Sequence, residues 1–331
     1  MAKDMTSGKP LKLIWNFTIP LLIGNLFQQL YNMADTFIVG RTIGVQALAA
    51  VGSTGSIVFL IIGFATGLTA GLAIPLAQRF GAKDYKGVKH SFYVSILISI
   101  AVAIVLTALS MIFCRQILEI MQTPSEIIDG AYDYLIVIFG GIFSSMAYNL
   151  LSNIFRSIGD AKTPLYFLVM ACVMNIILDI VFIAVFGMGV EGAGYATVLS
   201  QIFSAVACIV YIWKKIPVLR LTKEDLVATK RNIREHCRIS FPMAFQASII
   251  AIGTIMVQIA LNQLGPTSVA AHTAAQKIDQ LAILPMMSFG VTMATYSAQN
   301  FGAKKYDRIW LGVRECIKLS LTFAIVVGII L

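Results

Sequence analysis

The sequence predicts an all-α polytopic membrane protein made of two parallel six-helix repeats, the second incomplete, with about 9 of 12 transmembrane helices present. Three observations predict it. The chain is 58% hydrophobic and 12% charged, about half the usual charged share of a soluble domain. Its apolar runs are long enough to cross a hydrocarbon core, which takes about 20 helical residues. A nine-residue polar motif also recurs late in the chain with an even number of spans between its copies.

Nine spans are expected, near Leu13 to Gly40, Val45 to Ala77, Ser91 to Cys114, Tyr134 to Phe155, Thr163 to Gly187, Gly192 to Trp213, Ile239 to Leu261, Ser268 to Ala298 and Arg314 to Leu331. None of these runs alternates apolar with polar residues, and a membrane barrel would need many alternating segments of about 10 residues. Met1 to Pro10 is polar and the first apolar run is too long for a signal-peptide core, so the first helix reads as an anchor.

A net charge of +9 invites a nucleic-acid reading, but the basic residues lie between apolar runs rather than on a soluble face. With the N-terminus inside, 22 of the 25 Lys and Arg residues fall before the first helix or in inner loops, against Arg41 and Arg115 outside and Lys277 within a helix. This positive-inside bias predicts a multi-pass protein of the cell membrane with a cytoplasmic N-terminus and the lipid bilayer, not nucleic acid, as its surroundings. Cys114, Cys172, Cys208, Cys237 and Cys316 are scattered without a CxxC spacing, so they read as packing residues rather than a metal or disulfide frame.

Residues Ala77 to Tyr85, AQRFGAKDY, match Ala298 to Tyr306, AQNFGAKKY, at seven of nine positions and an offset of 221. Ala49-Ala50 with Ala270-Ala271 and Gly44 with Gly265 keep that offset, and Pro20 answers Pro242 at 222. Six spans separate matched positions, so both copies enter the membrane in the same sense, a parallel repeat about an axis along the membrane normal. The expected organisation is an N-lobe over 1–213, an inter-lobe cytoplasmic loop over 214–238 and a partial C-lobe over 239–331. A second full copy would add about three helices, so a truncated chain is expected.

Ionisable side chains inside spans are costly and mark function by default. Those deep in the apolar core are Asp35, Asp179, Lys277 and Asp279. Asn175 and Asp179 are four apart and share one helix face. At 1.5 Å per residue, Asp179 lies roughly 24 Å along its helix and Thr197 roughly 9 Å below the outer surface, and Asp35 reaches a similar depth. Two carboxylates, an amide oxygen and a hydroxyl in the outer third would suit Na⁺ or a shared proton. The plainer reading makes Asp35 a helix-end residue and Asn175 and Asp179 interhelical hydrogen-bonding groups. Gln28 and Tyr31 form a partly polar stripe leading to Asp35, and with Asn153 and Asp279 they are candidates for a substrate cavity. His272 reads as an interface histidine. The sequence carries no GxxxxGK[ST] and no HExxH motif, and its longest polar loop is about 25 residues, so a nucleotide-driven or enzymatic activity is not expected, nor a cofactor beyond a coupling ion.

Asn153 to Pro164, NIFRSIGDAKTP, Glu191 to Gln201, EGAGYATVLSQ, and Met33 to Gly40, MADTFIVG, carry a resemblance to the MATE (multidrug and toxic compound extrusion) transporters that covers the whole chain. The resemblance implies secondary active efflux of cationic or amphipathic drugs by antiport with Na⁺ or H⁺, through alternating access of two six-helix lobes. It places the family's amino-lobe cation site on Asp35, Asn175, Asp179 and Thr197. The seventh span carries no acid, unlike one branch of the family, and this favours the amino-lobe site. Small organic cations as substrates and a monomeric state follow from the same likeness. A lipid-linked oligosaccharide flippase of the same superfamily would want several basic residues in its cavity, and only Lys277 lies deep in a span. A non-transporting membrane protein would not require acids on helices one and five.

Overall fold

The computed structural model describes residues 3–263 and 266–330, with side chains except at 45, 330 and several positions between 255 and 281. Among the described residues there are eleven α-helices and no strand. They are α1 (Pro10–Thr42), α2 (Val45–Gly81), α3 (Tyr85–Ile112), α4 (Cys114–Ile120), α5 (Ile128–Gly140), α6 (Ile142–Ser157), α7 (Lys162–Asp179), α8 (Val190–Lys215), α9 (Lys230–Gln263), α10 (Pro266–Gly302) and α11 (Tyr306–Ile330).

Each expected span falls on one helix or one broken helix. Helices α1, α2, α3, α7 with the turn after it, and α8 are long and apolar enough to cross a bilayer. Helices α5 and α6 meet the same test together, but with a 48° bend between them. The bend lies at the Gly140-Gly141 pair, a recognised kind of kink site. The expected fifth span is also not uniform: after Asp179 the chain winds into a π-helix, Ile180–Val185. The third span ends at Ile112, and Cys114 begins the short α4, which packs against α5 and α3.

Four segments gather on one end of the molecule, the basic face: the amino-terminal residues, the α2–α3 turn, the α6–α7 turn and the α10–α11 turn. The repeated motif forms the same turn twice. Ala82 and Ala303 donate their N–H groups to the carbonyls of Gln78 and Gln299, both at 3.0 Å, and Lys83 and Lys304 to Phe80 and Phe301, both at 3.0 Å. Lys83 and Lys304 each take a left-handed backbone, at φ 59° and 58°. The motif's aromatic residues pair edge to face in both copies, Phe80 with Tyr85 and Phe301 with Tyr306. Seven identities in nine residues thus preserve a whole helix-end geometry.

A large core runs through α2, α3, α5, α6 and α8, from Leu68 and Leu72 to Phe139, Phe155 and Cys208. Helix α2 is central to the assembly, packing against α3, α6, α9 and α10. Gly67 and Gly71 let it come against the α9 backbone at Met243 and Ser240, where a Cβ atom would collide. Helix α1 meets α10 through Thr18 and Thr292 at 2.8 Å and Asn25 and Ser288 at 3.0 Å. These links all lie in the half of the molecule nearer the basic face. Further out, Leu30, Met33 and Phe37 of α1, Phe59 of α2 and Ile249 and Met256 of α9 are exposed.

Candidate functional site

Asn175 and Asp179 of α7 and Thr197 of α8 come together, with Tyr31 of α1 joining them. Asn175 and Asp179 are both fully buried, stacked on one face of α7. With its amide nitrogen toward the acid, Asn175 donates to Asp179 Oδ2 at 2.9 Å while its carbonyl accepts from the Thr197 backbone N–H at 3.2 Å. The opposite orientation would leave Asn175 oxygen facing the carboxylate, so the local hydrogen bonds decide the amide. Tyr31 of α1 reaches across and shares a hydrogen bond with Thr197 Oγ1 at 3.0 Å.

Asp35 lies one helical turn beyond Tyr31, on the same face of α1. It is near enough to Asp179 for the two charges to interact, and the phenols of Tyr31 and Tyr134 sit in the field of both. Asp35 Oδ1 and Asp179 Oδ1 are buried and have no protein hydrogen-bond partner. Each acid thus has a buried oxygen left unsatisfied by the protein, and buried charges persist only when compensated. Carboxylate, amide and hydroxyl oxygens are the donors that a hard cation takes.

Local folding explains why these groups converge. Val39 of α1, Ile183 of the π-helix and Ala193 of α8 form a separate buried cluster that ties together the helix ends carrying the acids, and Tyr134 packs against it. Gly141, at the α5–α6 bend, meets the Val198 side chain so closely that it has no room for a Cβ, and this seats α8 with Thr197 toward α7. The π-helix starts at the residue after Asp179. Such widened turns break the regular ladder and are frequent at functional positions.

The other candidates separate from this cluster. Gln28 is half-buried on α1, and among the described residues no hydrogen bond joins it to the network. Asn153 is buried far from the acids. Its Nδ2 donates to Thr69 Oγ1 at 3.4 Å, its Oδ1 accepts from Arg156 at 3.3 Å, and it lines a cavity of about 170 Å³ between α2, α6, α9 and α10. Asp279 is exposed on α10, and His272 is half-buried there. The Lys277 side chain lies outside the described residues. Tyr134 was missed by the sequence reading: it is a single tyrosine at the start of an expected span, with no polar residue at i+3 or i+4 to mark a face.

The comparisons with known proteins agree with this architecture. The MatE family model matches residues 20–181 and 242–331, two stretches that begin at Pro20 and Pro242, the pair related by the internal repeat. "Probable multidrug resistance protein YpnP" of Bacillus subtilis is 30% identical over 93% of this chain and 69% of its own length. The FAD transporter of Shewanella oneidensis is 24% identical over 95% of this chain and 70% of its own. Among solved structures, a multidrug resistance MATE family transporter in an outward-facing conformation superposes with a TM-score of 0.91 at 26% identity, over 98% of this chain and 72% of that one. With the family model spread over both copies of the repeat and the whole described fold matched, the chain belongs to the MatE family of membrane transporters.

Proposed function

We propose that this chain expels cationic or amphipathic small molecules across the cell membrane in exchange for a cation, Na⁺ or H⁺, that binds among Asp35, Asn175, Asp179 and Thr197. The observation that carries the reading is the pair of buried carboxylate oxygens without a protein partner, Asp35 Oδ1 and Asp179 Oδ1, on the two helices that meet at the Asn175–Thr197–Tyr31 contacts. Arrival of one positive charge would satisfy both acids and draw α1 toward α7. Loss of that charge would leave two like charges to repel each other. Either event alters how α1 packs, and α1 is also a helix that reaches α10. Ion occupancy thereby has a mechanical route to the contact between the amino-terminal and carboxy-terminal helices.

The positive-inside distribution makes the basic face cytoplasmic. Contacts between the two helix groups cluster on that side, so the arrangement corresponds to an outward-open state. The lobes are residues 1–213 and 239–331, joined by 214–238, in a chain that works as a monomer. Tyr31 steadies the site through Thr197, and Asn153 belongs to the cytoplasmic closure rather than to the substrate cavity.

The test is dye export by the full chain in proteoliposomes under an imposed Na⁺ or proton gradient. Asp35→Asn and Asp179→Asn should each reduce gradient-driven export to background, and the gradient that drives the parent protein identifies the ion. Retention of export with its ion dependence in both variants refutes the reading.

A further inference from the structure

The amino-terminal segment before α1 does not trail from the bundle. Met5 is 1% exposed, and its side chain joins a cluster with Leu13, Phe17, Phe289 and Tyr296, which belong to α1 and α10. Its N–H donates to Gln299 Oε1 at 2.9 Å, and its carbonyl accepts from Asn300 Nδ2 at 3.2 Å. Lys305 Nζ donates to the Thr6 carbonyl at 2.8 Å, and the Arg308 guanidinium to the Gly8 carbonyl at 3.0 Å. On its other side the segment is fixed to the α6–α7 turn, where the Lys3 N–H donates to the Ile158 carbonyl at 2.9 Å. Gln299 closes the circuit, because its Nε2 donates to the Ser157 carbonyl at 2.8 Å. Six residues thus bind the second motif turn to the first copy's loop.

The first motif turn is held in the corresponding way. Arg79 donates to Asn232 at 3.2 Å and pairs with Glu235 at 3.0 Å, both on the first turns of α9, the segment that leads into the second copy. Between the two holds the motif helices touch directly. Gly81 lies against the Gln299 carbonyl and Gly302 against the Gln78 carbonyl, each so close that a Cβ could not be placed. The contact is reciprocal: residues 221 apart exchange roles.

We infer that residues 3–8 form a clasp that locks the basic face of the transporter closed, paired with a second clasp at the start of α9, and that the basic face opens only when residues 3–8 release Gln299 and the α10–α11 turn. Each copy's lead-in segment grips the other copy's motif turn, so separating α2 from α10 must break both holds. Hydrogen bonds to a buried Gln and a buried Asn make the release an all-or-none event, since each leaves polar groups unpaired if only partly broken. The inference rests on the transporter reading only for the meaning of the opening, and its test reads conformation without substrate or ion gradient.

The test places a single cysteine at Thr295→Cys, on the wall of the cavity between α2, α6, α9 and α10, in the full chain with its native cysteines changed to alanine. The rate of modification by a small thiol reagent reports opening of the basic face. Replacing residues 3–7 by glycine and serine at equal length, and separately Gln299→Leu, should speed modification about 5- to 100-fold, the range of a modest coupling between two states. Lys305→Ala, on the rim of the clasp, provides a variant that leaves the core untouched and should give a smaller rise. A cysteine at Met5→Cys should be modified at a rate that rises in step with position 295. Unchanged labelling at 295 in folded protein overturns the inference, as does rapid labelling at 5 while 295 stays slow, because the segment then frays without governing the face. If Asp35→Asn leaves export intact while clasp variants still speed labelling, the coupling reading falls and the clasp stands.

Discussion

Helices α1 and α9 lead the two copies of the repeat, and they differ where the chemistry sits and agree where the copies meet. By the 222-residue offset, Asp35 answers Val257, Tyr31 answers Gly253 and Gln28 answers Ile250. Val257 and Ile250 are exposed apolar residues on a helix with no acid in its span. At the other end of the molecule, the turns after α2 and α10 keep the same hydrogen bonds, the same left-handed lysine and the same aromatic pair. Contact between copies therefore constrains both sequences together, whereas a charge needed once is free to exist in one copy only. On the proposed reading, an ion bound in the first copy alone would make the two halves respond unequally, and this inequality could drive one half against the other.

The sharpest way to break that comparison is to move the charge. In an Asp35→Asn, Val257→Asp double variant the net charge of the helices is kept, but the acid faces no Asn175, Asp179 or Thr197. Ion-coupled export should stay at background, a loss of about 100-fold or more, the size expected when one partner of a buried charge cluster is removed. Recovery of coupled transport would mean that the field of the cavity matters and not the local cluster.

The shared contact should respond alike in both copies. Gly81→Val and Gly302→Val each drive a side chain into a facing carbonyl, an overpacking cost of about 1–3 kcal/mol. Both should lower thermal stability in detergent by similar amounts. A large effect in one and none in the other would show that the reciprocity is geometric and not energetic. A smaller effect is expected from Tyr31→Phe, which removes the hydrogen bond to Thr197 while keeping the ring. One such bond contributes about 0.5–1.5 kcal/mol, so the half-saturating ion concentration should rise about 2- to 10-fold with the maximal rate little changed.

These differences also explain what could be read from sequence. Spans were legible because apolar length and loop charge are composition effects, and the repeat because FGAK lies in polar turns where similarity is not bred by low complexity. Asn175 and Asp179 declared a shared face by their spacing, and helix rise put Asp35 and Thr197 at matching depth. Tyr134 and the Gly141 seat were hidden, since both depend on how α5 is aimed after a bend that no spacing encodes. The π-helix after Asp179 was hidden for a related reason: Ile180–Val185 is an ordinary apolar run with no spacing that marks a widened turn, and it packs against α1 and α8. Asn153 shows the same limit, because a polar residue inside a span gives its depth but not which cavity it lines; here that cavity lies between α2, α6, α9 and α10.

The segment between α8 and α9 offers the mildest contrast with the buried acids. Asp225 is a loop carboxylate whose charge is met completely: the Thr222 hydroxyl donates at 2.7 Å, the Thr222 N–H at 2.9 Å and Lys89 Nζ of α3 at 3.0 Å. These hydrogen bonds, the Thr222 hydroxyl first, pull its pKa down to about 2, below the ordinary carboxylate value near 3.9. A folded pKa that is depressed gives stability present above the unfolded value and lost as pH falls through the folded one. Amide-exchange protection at Thr222, corrected for intrinsic rates, should therefore be flat from neutral pH down to about 4 and decline toward about 2. Lys89→Gln should raise tryptic cleavage at Lys223 only about two- to fivefold, in keeping with the modest worth of a loop ion pair, while Asp225→Asn should raise it more by also loosening the Thr222 turn. Protection that falls already between pH 7 and 5 would mean that a group other than Asp225 holds this segment against α3.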